Sequence, residues 1–277
     1  MEPSLSFARY PSLENAVVFV TGGASGIGEY MVRAFAEQGA RIGFVDIATE
    51  PGRALAEELS GGGAKLHFEP CDLRDIDALR AAFANLKRAL GPAGVLVNNA
   101  AQDDRHAWQD VTPEYYDERI ATNIRYMFFA IQTVAPDMIA AGKGSIINFG
   151  SNSWHQAAGG MPVYTTAKAA VHGMTRSFAR DLGKHRIRVN TVVPGWVMTG
   201  RQKTLWVNPA AIERTLARQC LPDLIEPIYL ARMALFLASD DSAIEGPHIL
   251  RLRGARERQM ERSRDKRFGL HLRLRLS

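Results

Sequence analysis

Short apolar runs alternate with longer segments of helical periodicity along most of the chain. AVVFVTG at 16–22 and RIGFVDI at 41–47 have the length and the uninterrupted Val, Ile and Phe content of strands buried on both faces. A helix is expected between them, ending near Gln38, and another over 53–59. This opening is a strand–helix–strand unit, which predicts neighbouring parallel strands.

The alternation continues to about residue 195. Further strands are expected in KLHFEPCDL (65–73), GVLVNNA (94–100), SIINFGS (145–151) and RIRVNTVVPG (186–195), with helical patterns over 76–90, 113–141 and 163–182. The stretch 196–238 is interpreted as a loop and two helices. Six strands with helical crossovers predict an α/β fold, a doubly wound parallel sheet flanked by helices. Ligands of such sheets bind beyond the carboxyl ends of the strands.

Length and composition favour a single globular domain. The chain has 277 residues, of which 46% are hydrophobic and 23% charged. We place a lead-in at 1–12, the domain at 13–250 and an atypical tail at 251–277. The longest apolar runs are too short for a membrane span, and no secretory signal pattern opens the chain. Cys71 and Cys220 form no CxxC pair, which favours a reducing cytoplasm over a disulfide framework.

The positive charge is concentrated in the tail. The whole chain carries +5, and residues 251–277 alone carry +7, which leaves −2 for residues 1–250. The composition favours a solvated extension, with a basic arm for nucleic acid or an anionic surface as the weaker alternative. Nucleic acid is therefore not the expected partner of the domain.

The first strand ends in a glycine-rich loop, TGGASGIG at 21–28, that opens a helix. Gly22, Gly26 and Gly28 lie where a tight turn, close approach to phosphate and close helix packing are needed, with Ser25 and Ile27 beside them. Asp46 follows the second strand, where a carboxylate accepts both ribose hydroxyls and repels a 2′-phosphate. We therefore expect NAD rather than NADP. A mononucleotide site or an unliganded turn is the alternative.

Polar residues follow the next two strands as well. After the third strand, Asp72 is placed to accept from the adenine amine and Leu73 to cover the ring, although a helix cap is an equal alternative for Asp72. Asn98 and Asn99 close the fourth strand, where their amides can brace the loop beside the cofactor, or can simply form a turn.

A tyrosine and a lysine lie one helical turn apart in YTTAK. Tyr164 and Lys168 share a helix face, and an ammonium beside a phenol favours the phenolate that general-base chemistry requires. Ser151 closes the fifth strand and can donate to a substrate oxygen, while Asn123 can hold a water that links Lys168 to solvent. The histidines have no metal-binding spacing, so no metal site is expected.

These segments together resemble the short-chain dehydrogenase/reductase family. TGGASGIG, NNA, YTTAK and PGWVMT, with Asn123 and Ser151, stand in the family's order over residues 13–246. The resemblance implies a Rossmann-type fold, a nicotinamide cofactor and a catalytic tetrad of Asn123, Ser151, Tyr164 and Lys168. It also implies cofactor contacts beyond the glycine loop, from Tyr164, Lys168, Pro194, Gly195, Val197 and Thr199.

Longer segments resemble the bacterial members that oxidise aldoses such as xylose, arabinose or galactose at C1. Among them are GSNSWHQ and TVVPGWVMTGRQKTLW. The resemblance implies transfer of hydride from sugar C1 to NAD, which gives the lactone, with the substrate held by Gln102, Ser151, Asn152, Trp154, His155 and Tyr164. For His155 the alternative is a structural role. For the loop 103–105 it is pairing within the loop, and for Trp196 and Trp206 it is packing in a lid or in the core.

The chain departs from the family near its end. EGPHILRLRG stands where the family has a seventh strand and a VDGG-like close, and a shifted reading frame near residue 243 would explain the basic tail. The family's homotetramer or dimer is in doubt for this reason, and an unpaired sheet edge is possible. Two other functions remain open, a reductase of oxoacyl or other carbonyl substrates and a non-catalytic NAD- or nucleic-acid-binding protein.

Overall fold

Within the described residues, seven strands form a single parallel sheet. Their bounds are Val17–Thr21 (β1), Arg41–Asp46 (β2), Lys65–Pro70 (β3), Val95–Asn98 (β4), Gly144–Phe149 (β5), Ile187–Pro194 (β6) and Ile249–Leu252 (β7). The computed structural model describes residues 7–244, 246 and 249–252. The strand order is β3-β2-β1-β4-β5-β6-β7. The predicted α/β fold, a Rossmann-type doubly wound parallel sheet in a single domain, is confirmed.

Nine helices of the described chain flank the sheet. They are Gly26–Glu37 (α1), Thr49–Gly61 (α2), Ile76–Leu90 (α3), Pro113–Ile120 (α4), Tyr126–Ala141 (α5), Pro162–Leu182 (α6), Gly200–Leu205 (α7), Pro209–Leu216 (α8) and Pro227–Ala238 (α9). Three helices lie within 196–238, where two were expected, because Thr199 and Asn208 each cap a short helix through the side chain.

Both faces of the sheet are buried, which explains the uninterrupted apolar runs. Successive strand residues point to opposite faces. Phe19 packs in one core with side chains of α3, α5 and α6, while its neighbours Val18 and Val20 pack in the other with α1 and α9. The two cores hold the sheet rigid, so the loops at its carboxyl edge have a fixed base.

The last strand forms although its sequence departs from the family's pattern. β7 pairs in parallel with β6, from Thr191 opposite Ile249 to Pro194 opposite Leu252. The possible unpaired edge at β6 is therefore covered. The predicted basic tail beyond residue 252 and the first half of the predicted lead-in, residues 1–6, lie outside the described residues.

The strand order reverses at β1, which lies between β2 and β4. The loops after β1 and β4 diverge there and leave a crevice at the carboxyl edge. None of the helices described by the structure is long and apolar enough to cross a membrane.

Candidate active site

A cavity of about 1480 Å³ lies at the carboxyl edge of the sheet and is lined by loops from both sides of the crevice. Most residues predicted for cofactor and substrate meet along its wall. They are Gly22, Ser25, Gly26, Ile27, Asp46, Asp72, Leu73, Asn99, Gln102, Ser151, Asn152, Tyr164, Lys168, Pro194, Gly195, Val197 and Thr199. Four predicted residues do not line it, and these are Gly28, Asn123, Trp154 and His155.

The glycine loop has the backbone conformation that its glycines predict. Gly22 and Gly26 have φ of 68° and 57°, in the left-handed region that favours glycine. Gly28 lies behind the cavity in the first turn of α1, where a Cβ would be 1.7 Å from the Gly22 carbonyl oxygen. Ser25 precedes α1 and makes no side-chain cap. The first amides of α1 are therefore directed at the cavity, as a phosphate site requires.

Asp46 is held at the cavity wall by backbone amides. Its two carboxylate oxygens accept hydrogen bonds from Ala24 N at 3.0 Å and Ala48 N at 2.9 Å. These bonds tie the end of β2 to the glycine loop and fix the carboxylate beside it. Asn99 braces the same loop from the other side, because its amide donates to the carbonyls of Thr21 and Gly22.

At the predicted adenine corner, Asp72 is paired with a neighbour. Arg74 donates to its carboxylate through Nε and Nη2, and this guanidinium lowers the pKa of Asp72. The cap of α3 is Asp75, which accepts from two amides of the first turn, so the alternative role considered for Asp72 belongs to Asp75. The adenine contact expected of Asp72 stays a prediction.

Ser151, Tyr164 and Lys168 converge at the other end of the cavity. Tyr164 and Lys168 lie in the first turns of α6, and the Lys168 ammonium is 5.8 Å from the centre of the Tyr164 ring. Lys168 is 1% exposed and donates to the Phe149 carbonyl at 2.8 Å. The Ser151 side chain lowers the pKa of the Tyr164 phenol, and both hydroxyls line the cavity. A hydroxyl pair suited to hold one substrate oxygen thus faces the cavity.

Burial dominates the titration of this pair. It raises the pKa of Tyr164 to about 12, against the lowering effect of Ser151, and it lowers the pKa of Lys168 to about 7. In the protein by itself the pKa of the phenol therefore stays above the neutral range, although Lys168 lies one helical turn away. A further positive charge beside the phenol is needed before it acts as a base near neutral pH.

The buried amine of Lys168 predicts a pH-dependent stability difference for Lys168→Met. The pKa of Lys168 is lowered from 10.5 to about 7 in the folded chain, so between these values the unfolded chain binds more protons at this group and wild-type stability falls as the pH falls. We expect the free energy of unfolding of Lys168→Met, relative to that of wild type, to rise by on the order of 3 to 5 kcal/mol as the pH falls from 10.5 to 7. Denaturant unfolding at several pH values measures this, and a constant difference between the two proteins would contradict it.

Asn123 lies in a π-helical turn, 121–125, that separates α4 from α5. One continuous helix was expected here. The Asn123 amide donates to the carbonyls of Arg119 and Gln102, and its oxygen accepts from Gln102 N at 2.9 Å. These side-chain bonds join the turn to the loop after β4 and favour a local change of helix type. The water expected at Asn123 stays a prediction.

The expectation that Trp154 and His155 hold the substrate is not supported by their position. Their rings stack on each other with centres 3.4 Å apart, and Trp154 Nε1 lies 3.3 Å from His172 Nε2. Both side chains are thus occupied in packing beside α6 rather than along the cavity. Gln102 and Asn152 do line it, as predicted.

Residues of α7 complete the cavity wall, and no sequence pattern predicted their contacts with the loop after β4. Arg201 bridges Asp103 and Asp104, with 2.6 Å between Arg201 Nη2 and Asp104 Oδ1. Gln202 donates to Asp103 at 2.8 Å and accepts from the Trp196 indole at 2.8 Å. Asp103 and its neighbours therefore do pair, but with α7 across the cavity rather than only within their loop.

The comparisons with known proteins agree with this geometry. A family model described as short chain dehydrogenase matches residues 16–209. The chain is 48% identical over 240 residues to D-xylose 1-dehydrogenase of Caulobacter vibrioides, covering 87% of this chain and 95% of that protein. It is 46% identical over 241 residues to the Rhizobium meliloti protein named probable galactose dehydrogenase GalD, covering 87% and 94%. A 3-oxoacyl-[acyl-carrier protein] reductase from Brucella melitensis, solved with bound NAD, has a TM-score of 0.83 at 27% identity, covering 92% and 97%.

Proposed function

Because this chain belongs to the short-chain dehydrogenase family, we propose that it transfers hydride from C1 of an aldose to NAD and releases the sugar lactone. The observation that carries the proposal is the meeting of Ser151, Tyr164 and Lys168 with the glycine loop and Asp46 in one cavity. The two relatives named for xylose and galactose oxidation support the sugar.

The residues at the glycine loop fit a dinucleotide. A Cβ at Gly28 would fill the space that the loop needs, and Asp46 is held with its carboxylate at the cavity wall. We propose Gly22, Ser25, Gly26 and Ile27 for the pyrophosphate and Asp46 for the adenosine ribose, with Asp72 and Leu73 beyond it at the adenine. Pro194, Gly195, Val197 and Thr199 would hold the nicotinamide end. The negative charge of Asp46 favours NAD over NADP.

Substitution of Asp46 by asparagine tests this preference. Asp46→Asn removes the charge and keeps an acceptor for only one of the two backbone amides, those of Ala24 and Ala48, so we expect NAD affinity to fall about 10- to 100-fold. The preference for NAD over NADP should narrow, because the repulsion of the 2′-phosphate is lost. Titration with both cofactors measures this, with Asp181→Asn, exposed near the end of α6, as control. An unchanged preference would contradict the assignment.

The chemistry rests on the hydroxyl pair. Ser151 holds the oxygen of the C1 hydroxyl, and Tyr164 removes its proton as hydride leaves C1. Bound NAD supplies the hydride acceptor and the positive ring charge that lowers the pKa of the phenol. Lys168, fixed by the Phe149 carbonyl, stays beside the phenol and returns its proton toward solvent, with Asn123 at the end of that path.

The far wall of the cavity suits a polyhydroxylated substrate. Gln102, Asp103, Asn152, Gln156 and Gln202 offer both donors and acceptors within one cavity. Such groups pair with ring hydroxyls, and a site built for hydroxyl groups rejects analogues that lack them. Before a substrate binds, Asp103 and Gln202 are hydrogen-bonded to each other at 2.8 Å.

NADH formation by the full chain with NAD and xylose, arabinose or galactose tests the function. Turnover with at least one of these sugars is the expected result. Consumption of NADH with oxoacyl carbonyls and none of the aldoses would replace the proposal by a carbonyl reductase. NAD binding without turnover of any of these substrates would replace the proposal by a non-catalytic NAD-binding protein.

We place the enzyme in a reducing cytoplasm and expect a homo-oligomer. Cys71 and Cys220 are both free thiols, which suits a reducing compartment. Phe128 on α5 is 46% exposed and contacts Phe178 on α6, with ring centres 5.1 Å apart, so this face offers apolar surface for a second subunit. Sedimentation velocity of the full chain measures the assembly.

A further inference from the structure

His106 joins the loop after β4 to the beginning of α6. Its backbone N–H donates to the Gly160 carbonyl at 2.8 Å. Its ring nitrogen Nε2 accepts from the backbone N–H of Val163 at 3.3 Å. Val163 directly precedes Tyr164, so the imidazole contacts the turn of helix that carries the proposed base.

The bond to Val163 replaces a missing helix cap. The first amides of a helix have no acceptor inside it. Met161, the residue before α6, makes no side-chain cap, and Pro162 at the first position has no N–H to donate. His106 therefore supplies from another segment the acceptor that a serine or aspartate normally provides.

This geometry requires a neutral imidazole. Because the Val163 amide can only donate, Nε2 must carry the lone pair, and the ring proton lies on Nδ1. Nδ1 lies 3.2 Å from the Asp104 carbonyl oxygen and 3.0 Å from the Tyr115 hydroxyl, and both can accept from it. A second proton, on Nε2, would face the Val163 N–H and break the cap.

We propose that His106 is a positioning residue for the proposed oxidation, whose neutral imidazole holds the first turn of α6 and thereby aims Tyr164 at the C1 hydroxyl. The inference rests on the proposed function. The titratable and charged side chains on the elements packed against the ring are Asp104 and Arg105 on its own loop, Tyr115, Glu118 and Arg119 on α4, and Tyr164 on α6.

The charged neighbours of His106 are already paired or stacked. Asp104 is bridged to Arg119 at 2.8 Å and to Arg201. The Arg119 guanidinium lies 5.4 Å from the centre of the Tyr115 ring, and Arg105 is stacked on Trp206 at 5.4 Å. The groups that meet the imidazole nitrogens are therefore a backbone amide, a backbone carbonyl and a phenol, none of which titrates between pH 5 and 8.

Two variants of His106 distinguish the role of its hydrogen-bond acceptor from the role of its side-chain volume. His106→Ala removes the acceptor, and we expect kcat to fall about 10- to 100-fold, with KM within about threefold, because Tyr164 is displaced. His106→Gln keeps an acceptor that does not titrate and should restore most of kcat. His185→Ala, between α6 and β6 at the opposite edge of the sheet, is the control.

Hydrogen exchange of the peptide around Val163 gives a readout that needs no turnover. His106→Ala should expose the amide to faster exchange, and His106→Gln should restore its protection. Wild-type kcat and exchange in His106→Ala would overturn the proposal. So would a His106→Gln variant whose kcat stays as low as that of His106→Ala. If the wild-type protein oxidises no aldose but the Val163 amide exchanges faster in His106→Ala and is protected again in His106→Gln, the proposed function is wrong and the helix cap by His106 is confirmed.

Discussion

Tyr164→Phe is expected to lower kcat for aldose oxidation by about 10³-fold or more, because it removes the proposed general base, and a positioned general base contributes about 10² to 10⁴ in rate. The ring remains, so the packing of α6 and the NAD site are retained. Initial-rate kinetics with saturating NAD and sugar measures the effect. NADH binding, followed by fluorescence, should change less than about threefold.

Tyr116→Phe is the matched control for this substitution. Tyr116 lies on α4 and is 42% exposed, so removal of its hydroxyl should leave kcat and stability unchanged. A Tyr164→Phe variant that keeps more than about a tenth of wild-type kcat would exclude the phenol as the base. Loss of NADH binding together with kcat would instead indicate a disturbed cavity.

The sequence predicted those parts of the site in which neighbouring residues act together. The turns of Gly22 and Gly26 and the pairing of Tyr164 with Lys168 are set by local spacing, and the structure has each of them. The buried strands were equally clear, because a sheet covered on both faces leaves an uninterrupted apolar run. Their carboxyl ends then place the loops that carry the candidate residues.

Other features depend on contacts that spacing does not reveal. Asp103 meets Gln202 across 99 positions of sequence, and no local pattern links them. The contact of Trp154 with His172, 18 positions further along the chain, was missed for the same reason, since an aromatic residue in a strand-end loop suits a sugar as well as a core. The raised pKa of Tyr164 in the chain by itself is a further such feature, because burial, which dominates it, is a property of the folded chain.

The close approach of two loop segments makes Gly28 the most constrained residue of the cofactor site. A Cβ there would lie 1.7 Å from the Gly22 carbonyl oxygen and 2.9 Å from Asn99 Nδ2. The same carbonyl accepts a hydrogen bond from Asn99 at 3.0 Å. The clash is with backbone rather than with a flexible side chain, so a methyl group forces the loop away from α1.

Gly28→Ala should therefore lower both stability and NAD affinity. Overpacking costs about 1 to 3 kcal/mol or more, which corresponds to a loss of about 2 to 6 °C in Tm for a chain of this size, and NAD affinity should fall about 100-fold as the loop moves. Gly173→Ala is the control, since a Cβ at Gly173 in α6 meets nothing within 4 Å and alanine there should stabilise the helix by about 0.5 to 1 kcal/mol. Thermal unfolding with and without NAD measures both variants. If Gly28→Ala keeps the wild-type Tm and the wild-type shift with NAD, the loop does not pack on α1 as described.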